Sequence, residues 1–278
     1  MLFATVKSIF DIDNVGKRWG VRILYLVTVV LNAAVHFNPF ADTDFSPLES
    51  WLMSIYNMTE YDPDVYNTVM STMPLTKGNI IYLLTLLLGE LIMIVSAYIY
   101  AAVYVRQYRI EKAEIIAKNG TDAINYAAPL IPDTPIQTSK LVGRLCLLML
   151  VTVFVALPLL TVSMYFLFFA LFGLPFIFTA PVAYLAGDKG IFNSIPYVVR
   201  LSFRYYFANM RSIAIVLFAV LVADFLIPMI ANVSLTAYYI VDSAVTTWLW
   251  LSIARLAALS YCTMKDYPIK SGRRPYAI

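Results

Sequence analysis

Three carboxylates lie inside long apolar stretches of the chain, and their positions are the ones most capable of supporting chemistry. An ionisable group inside a membrane span is energetically costly, so each is a functional-site hypothesis by default. One hypothesis is a polar path for protons or cations, because Asp224 and Asp242 reach similar depths on neighbouring helices. The alternatives are hydrogen bonds to hydroxyl groups of neighbouring helices, or contact with a basic residue of a partner subunit. The three residues are Glu90, Asp224 and Asp242.

A second set of candidate residues is basic and lies beside apolar stretches. Residues 1–19 and 188–211 are predicted to form amphipathic helices with apolar residues on one face and basic residues on another. Such helices lie in the membrane interface and attract anionic headgroups. Arg255 lies inside a span but near its end, so we expect it to snorkel to the surface without a functional role. The predicted headgroup contacts are Lys17, Arg18, Arg200, Arg204 and Arg211.

The sequence lacks the residue patterns of the common enzyme classes. It has no Walker loop, no dinucleotide-binding glycine pattern and no nucleophile elbow. His36 is the only histidine, and Cys146 and Cys262 lie in apolar or membrane-edge sequence. We therefore predict a protein that is not an enzyme, with no cofactor, metal centre or disulfide framework. Nucleic-acid binding is not expected either, because the basic residues border apolar stretches instead of forming a soluble basic face.

The composition of the whole chain indicates whether it lies in water or in a membrane. The 278 residues are 61% hydrophobic and 13% charged, with a mean hydropathy of +0.75. Soluble domains carry roughly 25% charged residues. The chain has about half that fraction and more apolar residues than a soluble core can bury. We therefore predict an all-α, polytopic integral membrane protein.

Six apolar stretches are long enough to cross a hydrocarbon core of about 30 Å. Residues 146–187 contain no charged residue and are too long for one span, so we expect them to fold back at Pro158. Residues 232–234 form a very short connection, which makes the last two spans an antiparallel hairpin. The predicted spans of this single membrane domain, residues 1–278, are 20–36, 79–105, 141–160, 161–187, 212–231 and 235–258.

The basic residues predict the orientation of these spans. In the six-span arrangement, 18 of the 20 Lys and Arg residues fall on one side. Short loops rich in Lys and Arg stay in the cytoplasm. Both termini, including the tail 259–278, and the segment 106–140 are therefore predicted to be cytoplasmic, in a bacterial cell membrane. Residues 37–78 would then form an outer loop that carries six acidic residues.

Two segments outside the spans are predicted to be structured. Ser46–Glu49 has the pattern of a capping box with proline at the first helical position, and its helix should reach Met58. A second short helix is expected within residues 62–73. On the cytoplasmic side, the second span should continue as a projecting helix to Lys118. The first outer helix should bury one apolar stripe made of Leu48, Trp51, Leu52 and Ile55.

The stretch from Pro175 to Arg211 carries a resemblance to known families. It joins an apolar span, an acidic-Lys-Gly step, a short amphipathic helix with serine and basic–aromatic residues, and another span. This order resembles bacterial polytopic families such as the membrane domain attached to some glycerophosphodiester phosphodiesterases. The resemblance covers only part of the chain. It implies membrane scaffolding without catalysis and carries over no active-site residue.

Together these features favour a non-catalytic multi-pass subunit that anchors or assembles a membrane protein complex. Its expected partners are other membrane or cytoplasmic subunits or further copies of itself, with anionic lipids at the cytoplasmic face. One alternative is a transporter, a channel or a permease subunit driven by a separate ATPase, with a path along the three intramembrane carboxylates. A third is a lipid-handling protein that uses the basic amphipathic helix.

Overall fold

The computed structural model describes residues 2–15, 18–57, 66–67, 71–119, 133–156 and 167–266. Every regular element in these ranges is helical and none is a strand, which confirms the all-α prediction for the described part of the chain. A π-helical turn, Thr152–Ala156, follows α5, and a 3-10 turn, Phe203–Tyr205, joins α7 to α8. The α-helices are α1 (Leu2–Phe10), α2 (Arg18–His36), α3 (Ser46–Tyr56), α4 (Lys77–Asn119), α5 (Thr138–Val151), α6 (Leu167–Leu185), α7 (Ile191–Ser202), α8 (Tyr206–Leu226), α9 (Pro228–Ala231) and α10 (Leu235–Asp266).

Three helical stretches are long and apolar enough to cross a membrane: Arg18–His36, Lys77–Lys118 and Ile191–Ala231. Their length and composition are those of membrane-protein helices. The apolar stretch Leu171–Leu185 within α6 is shorter. Helix α10 contains the predicted sixth span but is not among the three. It buries hydroxyl side chains, among them Ser243 and Thr247, which lower its apolar character.

Helix α4 is much longer than a membrane crossing requires. Its 43 residues correspond to about 65 Å at 1.5 Å per residue, roughly twice the hydrocarbon thickness. The predicted continuation of this helix to Lys118 is confirmed, because α4 ends at Asn119. The turn predicted at Pro158 lies outside the described residues. The long extension of α4 supplies two residues of the site described below.

The chain divides into two compact units, Met1–Val29 with Met93–Ile278, and Val30–Ile92. The core of the larger unit is rich in alanine from α6 and α10, together with the fully buried side chains of Tyr100 and Tyr261. Small side chains allow helix backbones to approach closely without a large apolar layer between them. The contributing alanines are Ala180, Ala183, Ala186, Ala254, Ala257 and Ala258.

Within the larger unit, the C-terminal end of the N-terminal helix α1 packs against α8 and α10. Ile9 is buried in a cluster with Ile213 and Leu256, and the Phe10 ring stacks on Trp248 with ring centroids 5.0 Å apart. The predicted interfacial helix therefore buries part of its apolar face against α8 and α10. The chain leaves the helix after Phe10, well before residue 19.

In the smaller unit, the capping box lies at a different position from the one predicted. Phe45 precedes α3 without a side-chain cap, and the Ser46 hydroxyl donates to Asp44 Oδ1 at 2.6 Å. The capping prediction for Ser46 is therefore wrong. A reciprocal pair begins α4 instead: the Asn79 N–H donates to Thr76 Oγ1 at 3.0 Å, and the Thr76 N–H donates to Asn79 Oδ1 at 3.1 Å.

The chain before α3 is fastened to this helix start. The Asn79 amide donates to the carbonyl oxygens of Asp42 and Asp44 at 3.0 and 3.1 Å. A Cβ atom at Gly78 would lie 2.6 Å from Asp42 Cβ, so only glycine permits this approach. Helix α3 itself ends at Tyr56 and has no buried residue, so the predicted buried stripe is also wrong. The helix predicted within residues 62–73 lies mostly outside the described residues.

Candidate functional site

Six charged residues from four separate parts of the larger unit meet in one place, which we call the charge cluster. Two come from the extension of α4, one from the segment before α5, one from the turn between α6 and α7, and two from the end of α10. Their side chains are largely buried, with Lys112 and Asp266 only 4% and 1% exposed. The six residues are Arg109, Lys112, Asp133, Asp188, Lys265 and Asp266.

Each carboxylate in the charge cluster contacts at least one cation directly. Arg109 Nη2 lies 2.6 Å from Asp188 Oδ2, and Lys265 Nζ lies 2.8 Å from Asp188 Oδ1. Lys112 Nζ lies 2.8 Å from Asp266 Oδ1. Three positive and three negative groups therefore neutralise one another, which is the condition under which charges are tolerated in a protein interior.

Asp133 lies within 4 Å of all three cations of the charge cluster. Its Oδ2 atom lies 2.7 Å from Lys265 Nζ, 3.4 Å from Lys112 Nζ and 3.7 Å from Arg109 Nε. Asp133 belongs to a segment without regular structure, so these three contacts attach that segment to α4 and α10.

The turn after α6 is built to deliver Asp188 to the charge cluster. Gly187 has a φ of +85°, a left-handed conformation that ends the helix and that glycine adopts without strain. Arg109 Nη1 then donates to the Ala186 carbonyl oxygen at 2.7 Å, and the Tyr261 hydroxyl donates to Asp188. Arg144 donates to the Lys189 carbonyl oxygen at 3.0 Å and holds the far side of the same turn.

The surroundings of Asp188 favour its ionised form. Burial alone would raise the pKa of Asp188, but hydrogen bonds from Lys265 and Tyr261 and the charge of Arg109 outweigh that effect. The net result is a pKa below the ordinary value for aspartate. Asp188 therefore carries its negative charge at neutral pH and stays paired with its cations.

The charge cluster leaves little space for another molecule. The cavity among its side chains has a volume of about 10 Å³, roughly the room that one water molecule needs. Within the described ranges, no group of three or more His, Cys, Asp or Glu residues is arranged to hold a metal ion. What the arrangement does chemically is hold four chain segments together by mutual neutralisation.

Arg255 forms a second buried polar site, which we call the arginine tether. It is 2% exposed, so the predicted snorkelling to the surface is wrong. Its Nε donates to the Ser8 carbonyl oxygen at 2.6 Å and its Nη1 to the Asn14 carbonyl oxygen at 3.0 Å. The guanidinium also lies over the Tyr104 ring, 5.2 Å from the centroid. The N-terminal segment returns to the bundle, and this allows Arg255 to be satisfied without reaching the surface.

The three predicted intramembrane carboxylates are not part of the charge cluster. Glu90 and Asp224 lie on exposed faces of α4 and α8, and Asp242 is half-buried on α10. They line neither the cavity of the charge cluster nor the small cavity beside Thr179 and Asn209. Of the predicted headgroup contacts, Lys17 lies outside the described residues, whereas the arginines are exposed: Arg18, Arg200, Arg204 and Arg211.

Sequence reasoning assigned the cluster's cations to membrane flanks and did not bring them together with carboxylates. Two features of the sequence do point to the charge cluster. Arg109 and Lys112 share a helix face at i, i+3 spacing, and Lys265 adjoins Asp266. The resemblance of the stretch from Pro175 to Arg211 stays a prediction. No protein-family model matches the chain, and no curated protein or solved structure matches it either.

Proposed function

We propose that the chain is a non-catalytic membrane subunit that crosses a bacterial cell membrane six times and assembles with a partner protein. The partner presents a basic side chain within the membrane. Both termini lie in the cytoplasm in this arrangement, as the distribution of Lys and Arg favours.

The observation that carries the proposal is the position of Asp224. It is exposed in the isolated chain, on a helical stretch that is apolar enough to cross a membrane. Leu221 and Phe225 beside it are 66% and 69% exposed, so the surrounding face is apolar. Asp224 lies past the middle of the predicted span 212–231, and a carboxylate in a spanning helix costs up to about 2.5–3.5 kcal/mol on insertion scales, the value at the helix centre. A partner's lysine or arginine would offset that cost.

Glu90 supports the same conclusion in the other unit. Leu83, Leu87 and Glu90 follow one another at intervals of four and three residues, which places them on one face of α4. All three side chains are exposed. An apolar helix face with one carboxylate suits packing against another helix better than contact with lipid alone.

The composition of the spans explains why the partner should supply the cation. Residues 79–105 and 212–231 contain no Lys or Arg. Arg255 is already occupied by the N-terminal segment, and the cations of the charge cluster are paired with one another. The charge cluster and the arginine tether hold distant segments of the subunit together, and the cavity in the charge cluster has room for about one water molecule.

A transporter is the main alternative, because intramembrane carboxylates also line proton and cation paths. In that case the path would run along the surface on which Asp224 lies, between copies of the chain or between this chain and another. The two functions differ in whether removing the carboxylate abolishes assembly or flux.

The test is site-directed cross-linking of the tagged full-length chain in native membranes. A cysteine replacing Leu221 or Phe225 should cross-link to a spanning helix of the partner, close to a lysine or arginine. Asp224→Leu should prevent the complex from co-purifying in mild detergent. Replacing the partner's basic residue by aspartate should restore assembly with Asp224→Lys.

Glu114→Leu is the matched control, since Glu114 is an exposed carboxylate on the extension of α4 beyond the predicted span. It should leave assembly unchanged. Purification of the chain alone, with ion flux in liposomes that disappears in Glu90→Gln and Asp224→Asn, would replace the proposal by the transporter alternative.

A further inference from the structure

The helical stretch from α7 into α8 carries an exposed stripe in which arginine and phenylalanine alternate. Counted from the first member, the others follow at three, four, seven and eleven residues, the spacing that keeps side chains on one face of a helix. Phe203 and Phe207 are 75% and 86% exposed, unusually high values for large apolar side chains. The three arginines are exposed as well. This Arg–Phe stripe consists of Arg200, Phe203, Arg204, Phe207 and Arg211.

The fold keeps the stripe turned outwards. The opposite side of the same stretch is buried, with Val198 and Ser202 fully enclosed and Tyr205 nearly so. The Tyr206 hydroxyl donates to the Phe172 carbonyl oxygen at 3.1 Å, and its ring lies 5.9 Å from that of Phe176. The helices cannot rotate to bury the phenylalanines without exposing this packed side.

The chemistry of the stripe suits one kind of occupant. Guanidinium groups bind phosphate oxygens with two parallel hydrogen bonds and keep their charge at every physiological pH. Phenylalanine beside them favours the boundary between headgroups and acyl chains. The stripe also adjoins residues 212–231, the apolar part of a stretch long enough to cross a membrane. Phosphate, negative charge and an apolar boundary occur together in an anionic phospholipid.

The geometry points to a binding site for anionic phospholipid along the Arg–Phe stripe. The arginines contact the headgroup phosphates, and Phe203 and Phe207 insert beside the acyl chains. This site is independent of the proposed assembly through Asp224, because it lies on a different set of residues and needs no protein partner.

The experiment uses the full-length chain in nanodiscs of equimolar phosphatidylglycerol and phosphatidylcholine. Native mass spectrometry of the released protein counts the lipids that stay bound. The wild type should retain phosphatidylglycerol in preference to phosphatidylcholine. The triple variant Arg200→Gln, Arg204→Gln, Arg211→Gln should lose that preference, by roughly fivefold for each arginine removed near a charged membrane surface.

Two further variants separate lipid binding from folding. The corresponding triple lysine variant should restore most of the preference, because it returns the charge to the same positions. A control variant at the exposed residue Lys118, which lies on the extension of α4 well beyond the predicted span 79–105, should behave as the wild type when changed to glutamine.

Equal retention of both lipids by the wild type would overturn the inference. So would an unchanged preference in the triple glutamine variant, or a failure of lysine to restore it. Retention of an acidic protein by the stripe in lipid-free detergent, with no lipid preference, would assign the surface to a protein ligand instead.

Discussion

The charge cluster and the helix faces around Glu90 and Asp224 place their acidic residues in opposite surroundings. In the charge cluster, three cations and three carboxylates from distant parts of the sequence neutralise one another in the interior. Glu90 and Asp224 lie outward on apolar helix faces, and no ion-pair partner is present for them among the described residues. The contrast separates charges that are neutralised within the fold from carboxylates that have no ion-pair partner in the described part of the chain.

Removing a cation from the charge cluster should have the largest effect on the stability of the protein. Lys112→Met should leave Asp266 buried and short of its nearest cation, and should lower the free energy of unfolding by about 3–5 kcal/mol. Denaturant unfolding of the purified chain in detergent measures this. Arg22→Met is the control, because the Arg22–Asp13 pair is exposed and its loss should change stability little. Similar losses in both variants would contradict a special role for burial.

The arginine tether should have the next largest effect. Arg255→Met removes charge-assisted hydrogen bonds to the Ser8 and Asn14 carbonyl oxygens, and we expect a loss of about 2–4 kcal/mol. The N-terminal segment should detach first, so trypsin should cleave faster after Lys7. Arg200→Met, at an exposed position, should leave cleavage at Lys7 unchanged. Equal cleavage rates in both variants would show that the tether does not hold the segment.

Replacing Asp224 should have a favourable effect, in contrast to the losses of stability expected for Lys112 and Arg255. Asp224→Leu should make insertion of the isolated helix more favourable by about 2.5 kcal/mol, since a leucine replaces a carboxylate at a lipid-facing position. A translocon insertion assay of residues 206–231 measures the change. The same variant should lose partner assembly. Unchanged or poorer insertion of the leucine variant would mean that Asp224 does not lie within the membrane when this helix inserts.

The smallest effect, and the most pH-dependent, concerns Asp188. Its pKa is lower in the fold than in the unfolded chain, where aspartate titrates near about 3.9. Its contribution to stability is therefore complete above the unfolded value and is lost as the pH falls through the folded value. Asp188→Asn should be less stable than the wild type at pH 7, with a difference that shrinks below about pH 4. A difference that does not shrink at all as the pH falls below about 4 would assign it to packing alone.

Prediction from sequence succeeded where the relevant forces are local. The periodicity and length of the apolar stretches predicted an all-helical chain and the long continuation of α4. Prediction failed where a side chain has two possible local partners. The Ser46 hydroxyl bonds to the preceding Asp44 instead of capping α3. The same type of pattern at Thr76 and Asn79 forms a capping box, because the chain around Asp42 packs onto it.

The charge cluster and the arginine tether were harder to predict. The identity of a charged residue in the sequence does not show which residue lies next to it in space. Lys and Arg near the ends of apolar stretches resemble membrane anchors whether or not they are buried. Arg255 illustrates this, since its depth in the helix suggested a surface position and its burial depends on a segment more than 240 residues earlier. Only the positions of Ser8, Asn14 and Tyr104 in the fold show that Arg255 is buried and does not lie at the surface.

The sequence by itself determined that this chain is helical, apolar and rich in charge at the ends of its apolar stretches. Those properties follow from composition and short-range periodicity, which are independent of the path of the chain. The tertiary structure decided which charges are neutralised internally and which face outwards. That distinction depends on distances between residues far apart in sequence, such as Arg109, Asp188 and Lys265, and Coulomb interactions depend on distance in space.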